Sequence, residues 1–454
     1  MQECLIQQRY RSGIDRKVGH SYYCYEIILS SKRSYAVATI LDKSVITCDM
    51  EGVIETFSDG AVAMFGYDRV ETINKLRVSA FSPGQIVLQN LGTWLSTAVR
   101  EGEWIGETNF VRKNGDLFGA RIRITPTFRN GVQIGFCGVT EELDAVVDVP
   151  ITSATKAITW LVITRAPFIT AAITPCFIGI AFVGGVLGLP ISWMYAVLAI
   201  LGVSLLHLAS NVFNDYFDVK SGTDQANTKY FVQYSGGSRA IEMGLIDLKG
   251  TRNVALCLAG IALCIGVYVT FAVGLGVLVI GLSGLALGYF YTAPPLRLVA
   301  RKGLGEVIIG MTFGPLITLG MYYVMTGVYS FDAFIVGIPT GLLTTNILLI
   351  NQVPDAEGDA VTGKNHLVVT FGPQAAVWFY GFFLASAILV SVWLGLYHHK
   401  PFLLGVAALA IGYGGWILFY MKKHLNNRSL VKANVHTIYL QIVFAVLFAI
   451  ALVL

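Results

Sequence analysis

Between residue 158 and residue 454 the chain holds nine apolar runs, near 158–186, 191–213, 253–272, 274–292, 304–326, 331–351, 374–397, 401–421 and 434–454. Runs of about 20 apolar residues match the thickness of a bilayer's hydrocarbon core. Inside that core every backbone N–H and C=O must be satisfied within its own segment, so each run is expected to be a helix. The charge distribution agrees. Of the 32 Lys and Arg and 28 Asp and Glu, residues 1–150 hold 34 and residues 151–454 only 26. The first stretch has the charge density of a globular domain, the second that of a membrane bundle. A wholly soluble enzyme, a disordered chain, a collagen and a disulfide scaffold are all excluded.

Basic residues sort the loops. One alternating set carries Lys220, Lys229, Arg239, Lys249 and Arg252, then Arg297, Arg301 and Lys302, then Lys364, then Lys422, Lys423, Arg428 and Lys432; the other carries Lys400. Positive loops stay cytoplasmic, which puts residues 1–150 on that side as well. No block of like charge reads as a nucleic-acid arm, so no nucleic-acid partner is expected. The seven cysteines, at 4, 24, 48, 137, 176, 257 and 264, include no C-x-x-C pair and read as reduced thiols. The opening MQECLIQQRYRSG lacks an apolar core of signal-peptide length, so no cleaved leader is expected.

Two cytoplasmic loops carry carboxylates where a membrane helix ends. In NVFNDYFDVKSGTD, Asn214 and Asp218 share a helix face, and Lys220-Ser221-Gly222 should end the helix and let Asp224 fold back. In NQVPDAEGDAVTGK, following Asn351, Asp355 and Asp359 repeat the four-residue spacing, with Lys364 beyond. Carboxylates at a membrane-helix end need a cation or a partner. Asp and Asn there are often only caps and turn residues. Two clusters with one spacing on one side favour a metal instead. Asn214, Asp218, Asp224, Asn351, Asp355 and Asp359 make an oxygen set suited to Mg2+, with two ions around one diphosphate. Lys220, Arg239, Arg297 and Lys364 would contact phosphate oxygens. His207, in an apolar run, reads as a satisfied interior residue, and His366, in a loop, is the more interesting histidine.

Residues 43–145 alternate apolar and polar positions. Phe118, Ala120, Ile122 and Ile124 face one side of a strand, Arg121 and Arg123 the other, and Asn130-Gly131 marks a hairpin. Lys113-Asn114-Gly115-Asp116 reads as a second turn, and residues 59–78 as helical. CDMEGVIETFSDGAVAMFGYDRVETINK, FVRKNGDLFGARIRITP and GVQIGFCGVTEEL, with Phe65-Gly66-Tyr67, resemble a PAS domain. That resemblance implies an α+β sheet domain acting as a sensor of unknown ligand, or as a docking or homodimer module. Haem ligation is not expected, since His20 lies outside the match. Residues 1–42 stay unassigned, and 146–157, with Pro150 and small polar residues, form the junction.

Residues 156–454 resemble the UbiA superfamily of intramembrane prenyltransferases. Asn214-x-x-x-Asp218 with Asp224, and Asp355-x-x-x-Asp359 with Gly363-Lys364, match its two aspartate motifs; WLVITRAPF supplies the first-helix arginine, Arg165, and YTAPPLRLVARKGLGE the loop of Tyr291 and Arg297. NDYFDVKSGTD and SGGSRAIEMGLI look most like the branch that prenylates 1,4-dihydroxy-2-naphthoate for menaquinone. The departure is Gln352-Val353-Pro354 before Asp355, where relatives often carry Asn and Arg. The resemblance implies an α-helical multi-pass bundle of nine helices in the cell inner membrane. It also implies Mg2+-dependent transfer from a polyprenyl diphosphate to an aromatic acceptor, with Tyr291 and the basic residue of its loop helping to hold the diphosphate. Asp215 and Tyr291 are the catalytic candidates, Asp215 to orient the acceptor or take a proton. Tyr216, Phe217, Tyr289 and Tyr291 are candidates for cation–π support of an allylic cation, each equally at home in packing. 4-Hydroxybenzoate, homogentisate or a glyceryl phosphate ether fit the same site physics. A non-catalytic receptor for quinone or lipid is the rival from another class.

Overall fold

The computed structural model describes residues 43–231 and 234–454. The N-terminal segment 1–42, with Cys4, Cys24 and His20, lies outside the described residues. The chain divides into two compact units at Ile158/Thr159.

The first unit is built on an antiparallel sheet of β1 (Lys43–Asp49), β2 (Ile54–Phe57), β3 (Trp104–Val111), β4 (Leu117–Arg129) and β5 (Val132–Glu142), in the order β2-β1-β5-β4-β3. Helices α1 (Asp59–Phe65), α2 (Arg69–Thr72) and α3 (Gly92–Glu101) fall between β2 and β3. Ser58 caps α1 through Ala61 N, and Gly66 ends it in the left-handed region. The predicted hairpin holds: Asn130 and Gly131 both have positive φ, as a tight turn between twisted strands needs. Phe118 and Ala120 are buried with Phe57, Phe65, Phe81 and Phe110, and Ile124 with Cys48, Ala98 and Phe136, while Arg121 faces out and pairs with Glu107. The core leaves a cavity of about 80 Å³ lined by Cys48, Phe81, Trp94 and Phe136, well below the usual size of a small-molecule site.

The predicted junction is not a free linker. The Asn109 side chain bonds both the N–H and the C=O of Val147. Gln89 donates to Pro150 O and accepts from Thr152 N and the Thr155 hydroxyl. Thr152 then caps helix α4 (Ser153–Thr164) through Thr155 N.

The second unit is helical: α5 (Ala166–Val186), α6 (Trp193–Ser221), α7 (Leu248–Val273), α8 (Gly276–Phe290), α9 (Leu304–Thr326), α10 (Phe331–Val361), α11 (Pro373–Tyr397), α12 (Phe402–His424) and α13 (Leu430–Val453). All but α8 are long and apolar enough to cross a membrane, so among the described residues eight helices meet that standard against nine expected. The 15 residues of α8 rise only about 22 Å, short of a bilayer core. The first expected span is broken. Arg165 adopts φ 53°, Pro167 follows, and α4 and α5 are separate helices.

Conversely, the second acidic segment is not a loop. Helix α10 runs on for 31 residues through Pro339 and Pro354, carrying Asn351, Asp355 and Asp359 on its last turns. Each proline removes one helical hydrogen bond, a loss that membrane helices tolerate. The bundle closes where α9 crosses α10. A Cβ at Gly314 would stand 2.3 Å from Gly337 O, and one at Gly341 2.0 Å from Gly310 O.

Candidate active site

Two helix ends bring the acidic clusters together. Helix α6 ends where Gly222 adopts φ 79°, and the next turn, Thr223–Ala226, returns Asp224 to a buried position, as the Lys-Ser-Gly stop predicts. Gly363, at φ 74°, turns the chain after α10 so that Lys364 points back. Its Nζ lies 2.8 Å from the Asp218 carboxylate and 3.7 Å from Asp359. One buried ammonium thus ties the first cluster to the second. Burial alone would depress it, but the Asp218 and Asp359 carboxylates hold it above the ordinary lysine range. His366 accepts from Val369 N through Nδ1, which leaves the proton on Nε2, 3.1 Å from Asp359 Oδ2.

The 227–239 segment completes the site. Asn227 Nδ2 donates to Asp355 Oδ1 at 2.7 Å, and Gly236 N to Asp355 Oδ2 at 3.0 Å. Ser238 N donates to Asp215 Oδ1, which lies 3.9 Å from Arg165, while Asp215 Oδ2 is buried with no partner among the described residues. A Cβ at Gly237 would stand 3.0 Å from Asp215 and 3.5 Å from Asp224, so this approach requires glycine. Burial pushes the Asp224 carboxyl up to about 8; Arg239 opposes the shift and Asp218 and Asp215 add to it.

Beside these carboxylates opens an apolar cavity of about 350 Å³ between α6, α7, α8, α9 and α10. Arg165, Asn211, Asn214, Tyr291 and Asn351 are its polar lining at the carboxylate end. The Tyr291 hydroxyl is buried with no hydrogen-bond partner among the described residues.

Residues 172–443 match the profile of the UbiA prenyltransferase family, well over half of the chain. The chain belongs to this family. Residues 42–142 match a PAS domain. Among curated relatives, 1,4-dihydroxy-2-naphthoate octaprenyltransferase of Bacillus subtilis is 31% identical over 172 residues, 38% of this chain and 53% of that one. The chain therefore spans about half the length of that relative. The 2-carboxy-1,4-naphthoquinone phytyltransferase of Synechocystis is 28% identical over 259 residues, 55% of this chain and 78% of that one. A solved UbiA homologue from Archaeoglobus fulgidus bound to GPP and Mg2+ aligns at TM-score 0.48 and 17% identity over 65% of this chain and 99% of that one. The protein is an integral multi-pass membrane protein of the UbiA family with an N-terminal PAS domain.

This UbiA chain uses its expected residues unequally. Asp215, Asp218, Asp224, Asp355 and Asp359 are gathered with Lys364 and Arg165, while Asn214 lines the cavity. Asn351 also lines it and accepts from Asn434 Nδ2. Arg297 is half-buried and donates to Thr362 O. Lys220 is not gathered in: it is exposed, with its ammonium over the Tyr216 ring, because it stands on the outer side of the last turn of α6. Arg239 is buried, but its guanidinium is taken up by Gly236 O, Asp224 O, Asn227 O and Glu242. It braces the loop instead of presenting a free fork to an anion. Asn227 was missed. It joins Asp355 to the Arg239 brace, and only its place just after the Asp224 turn hinted at it.

Proposed function

We propose that this protein transfers a polyprenyl chain from its diphosphate to an aromatic acceptor, with 1,4-dihydroxy-2-naphthoate the acceptor favoured by its naphthoate-prenylating relatives. The observation that carries it is Lys364 joining Asp218 of α6 to Asp359 of α10 beside an apolar cavity of about 350 Å³. An anion-handling head beside an apolar cavity suits an amphiphile whose polar end is a diphosphate.

The residues fit Mg2+. Asp215, Asp218 and Asp359 face the cations Arg165 and Lys364, Asp224 and Asp355 lie beside them, and Asp215 Oδ2 is buried without a partner among the described residues. No three carboxylates converge as a ready cage among the described residues. That suits an ion held by one or two carboxylates plus substrate phosphates. Asp218, Asp224 and Asn214 would hold one ion and Asn351, Asp355 and Asp359 a second. Bound there, Mg2+ would neutralise charge on the leaving diphosphate.

Arg165, Lys364 and Arg297 bind and orient the diphosphate as the allylic C–O bond breaks, with its electron pair leaving on the diphosphate oxygen. The Tyr291 ring, which lines the cavity, faces the allylic cation, whereas Tyr289 and Phe217 pack against each other outside the cavity lining. The electron-rich acceptor carbon then forms the new C–C bond, and a proton or carbon dioxide leaves that carbon to restore aromaticity. Asp215, with one free carboxylate oxygen, takes the proton. The positive loops support a site on the cytoplasmic side of the cell inner membrane.

The test is prenyl transfer in membranes containing the protein, with labelled polyprenyl diphosphate and an acceptor panel read by mass spectrometry. Product should form with a dihydroxynaphthoate, stop in EDTA, and fall by at least about 10²-fold in Asp218→Asn and in Asp355→Asn. Full activity in both variants sinks the two-cluster site.

A further inference from the structure

We infer that His207 binds the aromatic acceptor, donating from Nδ1 to an oxygen on its ring. The inference rests on the prenyl-transfer function above and goes on to place the acceptor.

His207, Asn211, Asn214 and Asp218 recur at four, three and four residues along α6 and so share one face. At 1.5 Å per residue, His207 stands about 10 Å deeper in the bundle than Asn214. A prenyl diphosphate is polar only at its head. Its tail has no use for an imidazole at that depth.

The ring is 9% exposed and lines the cavity. It is not the satisfied interior histidine that its apolar surroundings predict. Asn211 Nδ2 lies 3.4 Å from Thr164 O, which fixes it as the donor nitrogen, and 3.2 Å from His207 Nε2. Nε2 therefore accepts, and the neutral imidazole carries its proton on Nδ1. That Nδ1 is buried and has no hydrogen-bond partner among the described residues. Phe313 meets the imidazole at 90° with centroids 5.0 Å apart, at best a weak partner for an N–H. An unmade buried donor is expensive, and in a native structure it calls for a partner.

The ligand that satisfies this group needs a hydrogen-bond acceptor atom on a flat body that fits against Phe313. A hydroxyl or carboxylate oxygen of an aromatic acceptor meets both requirements, and an isoprenoid meets neither. His207 is thereby a specificity residue for the acceptor.

Three variants separate this role from support of Asn211. In His207→Asn the amide nitrogen takes the place of the donor Nδ1; in His207→Gln the amide oxygen takes the place of the acceptor Nε2; His207→Leu keeps neither. With saturating prenyl diphosphate and varied 1,4-dihydroxy-2-naphthoate, Leu and Gln should raise the acceptor KM about tenfold, the loss of one buried hydrogen bond. Asn should stay close to wild type, and the prenyl diphosphate KM should not move in any variant. The inference is overturned if the acceptor KM is unchanged throughout, or if Gln is normal while Asn fails. It is also overturned if all three variants shift the prenyl diphosphate KM, which marks a purely structural residue. No product from wild type with any aromatic acceptor removes the prenyl-transfer function and this inference together; product from wild type with unmoved KM values removes only this one.

Discussion

Arg165, Arg239 and Arg297 all stand at positive φ, 53°, 56° and 41°, a region where non-glycine residues are uncommon. Backbone in that state persists where its surroundings over-determine it. For Arg239 the surroundings are visible: three carbonyl oxygens and Glu242 hold its guanidinium, and Tyr230 covers its face at 4.0 Å. Arg239→Ala should cost about 3 kcal/mol by stranding these groups, seen as a lower melting temperature in detergent. Arg239→Lys should recover little, since an ammonium cannot replace the fork. Asp224 gives a pH test. Its folded pKa of about 8 lies above the unfolded value, so the folded state holds a proton that the unfolded state has lost. This contribution is full below about pH 4 and is lost as pH rises through 8. In EDTA, wild type should lose stability between about pH 4 and pH 8 relative to Asp224→Asn, with no further loss above that. Mg2+ should narrow that gap, because a bound cation favours the carboxylate. The spacing of Asp218, Asp355 and Asp359 was legible because helix periodicity alone puts such residues on one face. The engagement of Arg239 and the exposure of Lys220 were not legible, because they depend on which atoms a folded loop delivers.

The helices themselves were largely written in the apolar runs, since a bilayer leaves the backbone no alternative. What periodicity could not give was continuity. Helix α10 passes through Pro354 because its flanks are packed, whereas the first span breaks at Arg165, where no glycine announces it. The crossing of α9 and α10 is another tertiary fact with a local signature, Gly310-x-x-x-Gly314 against Gly337-x-x-x-Gly341. Small residues at that spacing let membrane helices touch through their backbones. Gly341→Val should force the helices apart, costing several kcal/mol (about 3 or more) and displacing Asp355 and Asp359 with α10. Gly405→Ala, where an added Cβ meets nothing within 4 Å, is the control and should be neutral. Thermal stability and prenyl transfer measured side by side check both. Equal stability of Gly341→Val and wild type would mean that the crossing is looser than these distances require.

At the scale of the molecule, one helix connects two units of different composition. Its first turn belongs to the PAS-bearing unit, where Gln89 holds Pro150, Thr152 and Thr155. Its last residue, Thr164, precedes Arg165, and the Thr164 carbonyl takes the Asn211 amide that also holds His207. The composition shift near residue 150 revealed two units, but not the side chains that clasp the chain between them, because Gln89 and Asn109 are unremarkable in sequence. Gln89→Ala should release the start of α4 while leaving every residue of the second unit intact. If the PAS domain acts on the enzyme through this helix, kcat for prenyl transfer should change by about threefold or more, a coupling near 0.7 kcal/mol. The melting temperature of the second unit should stay where it is. Deletion of residues 1–150 should produce a change in the same direction, since both remove the same restraint. Equal rates for wild type, Gln89→Ala and the truncated protein would make the first unit a tether with no hold on the chemistry.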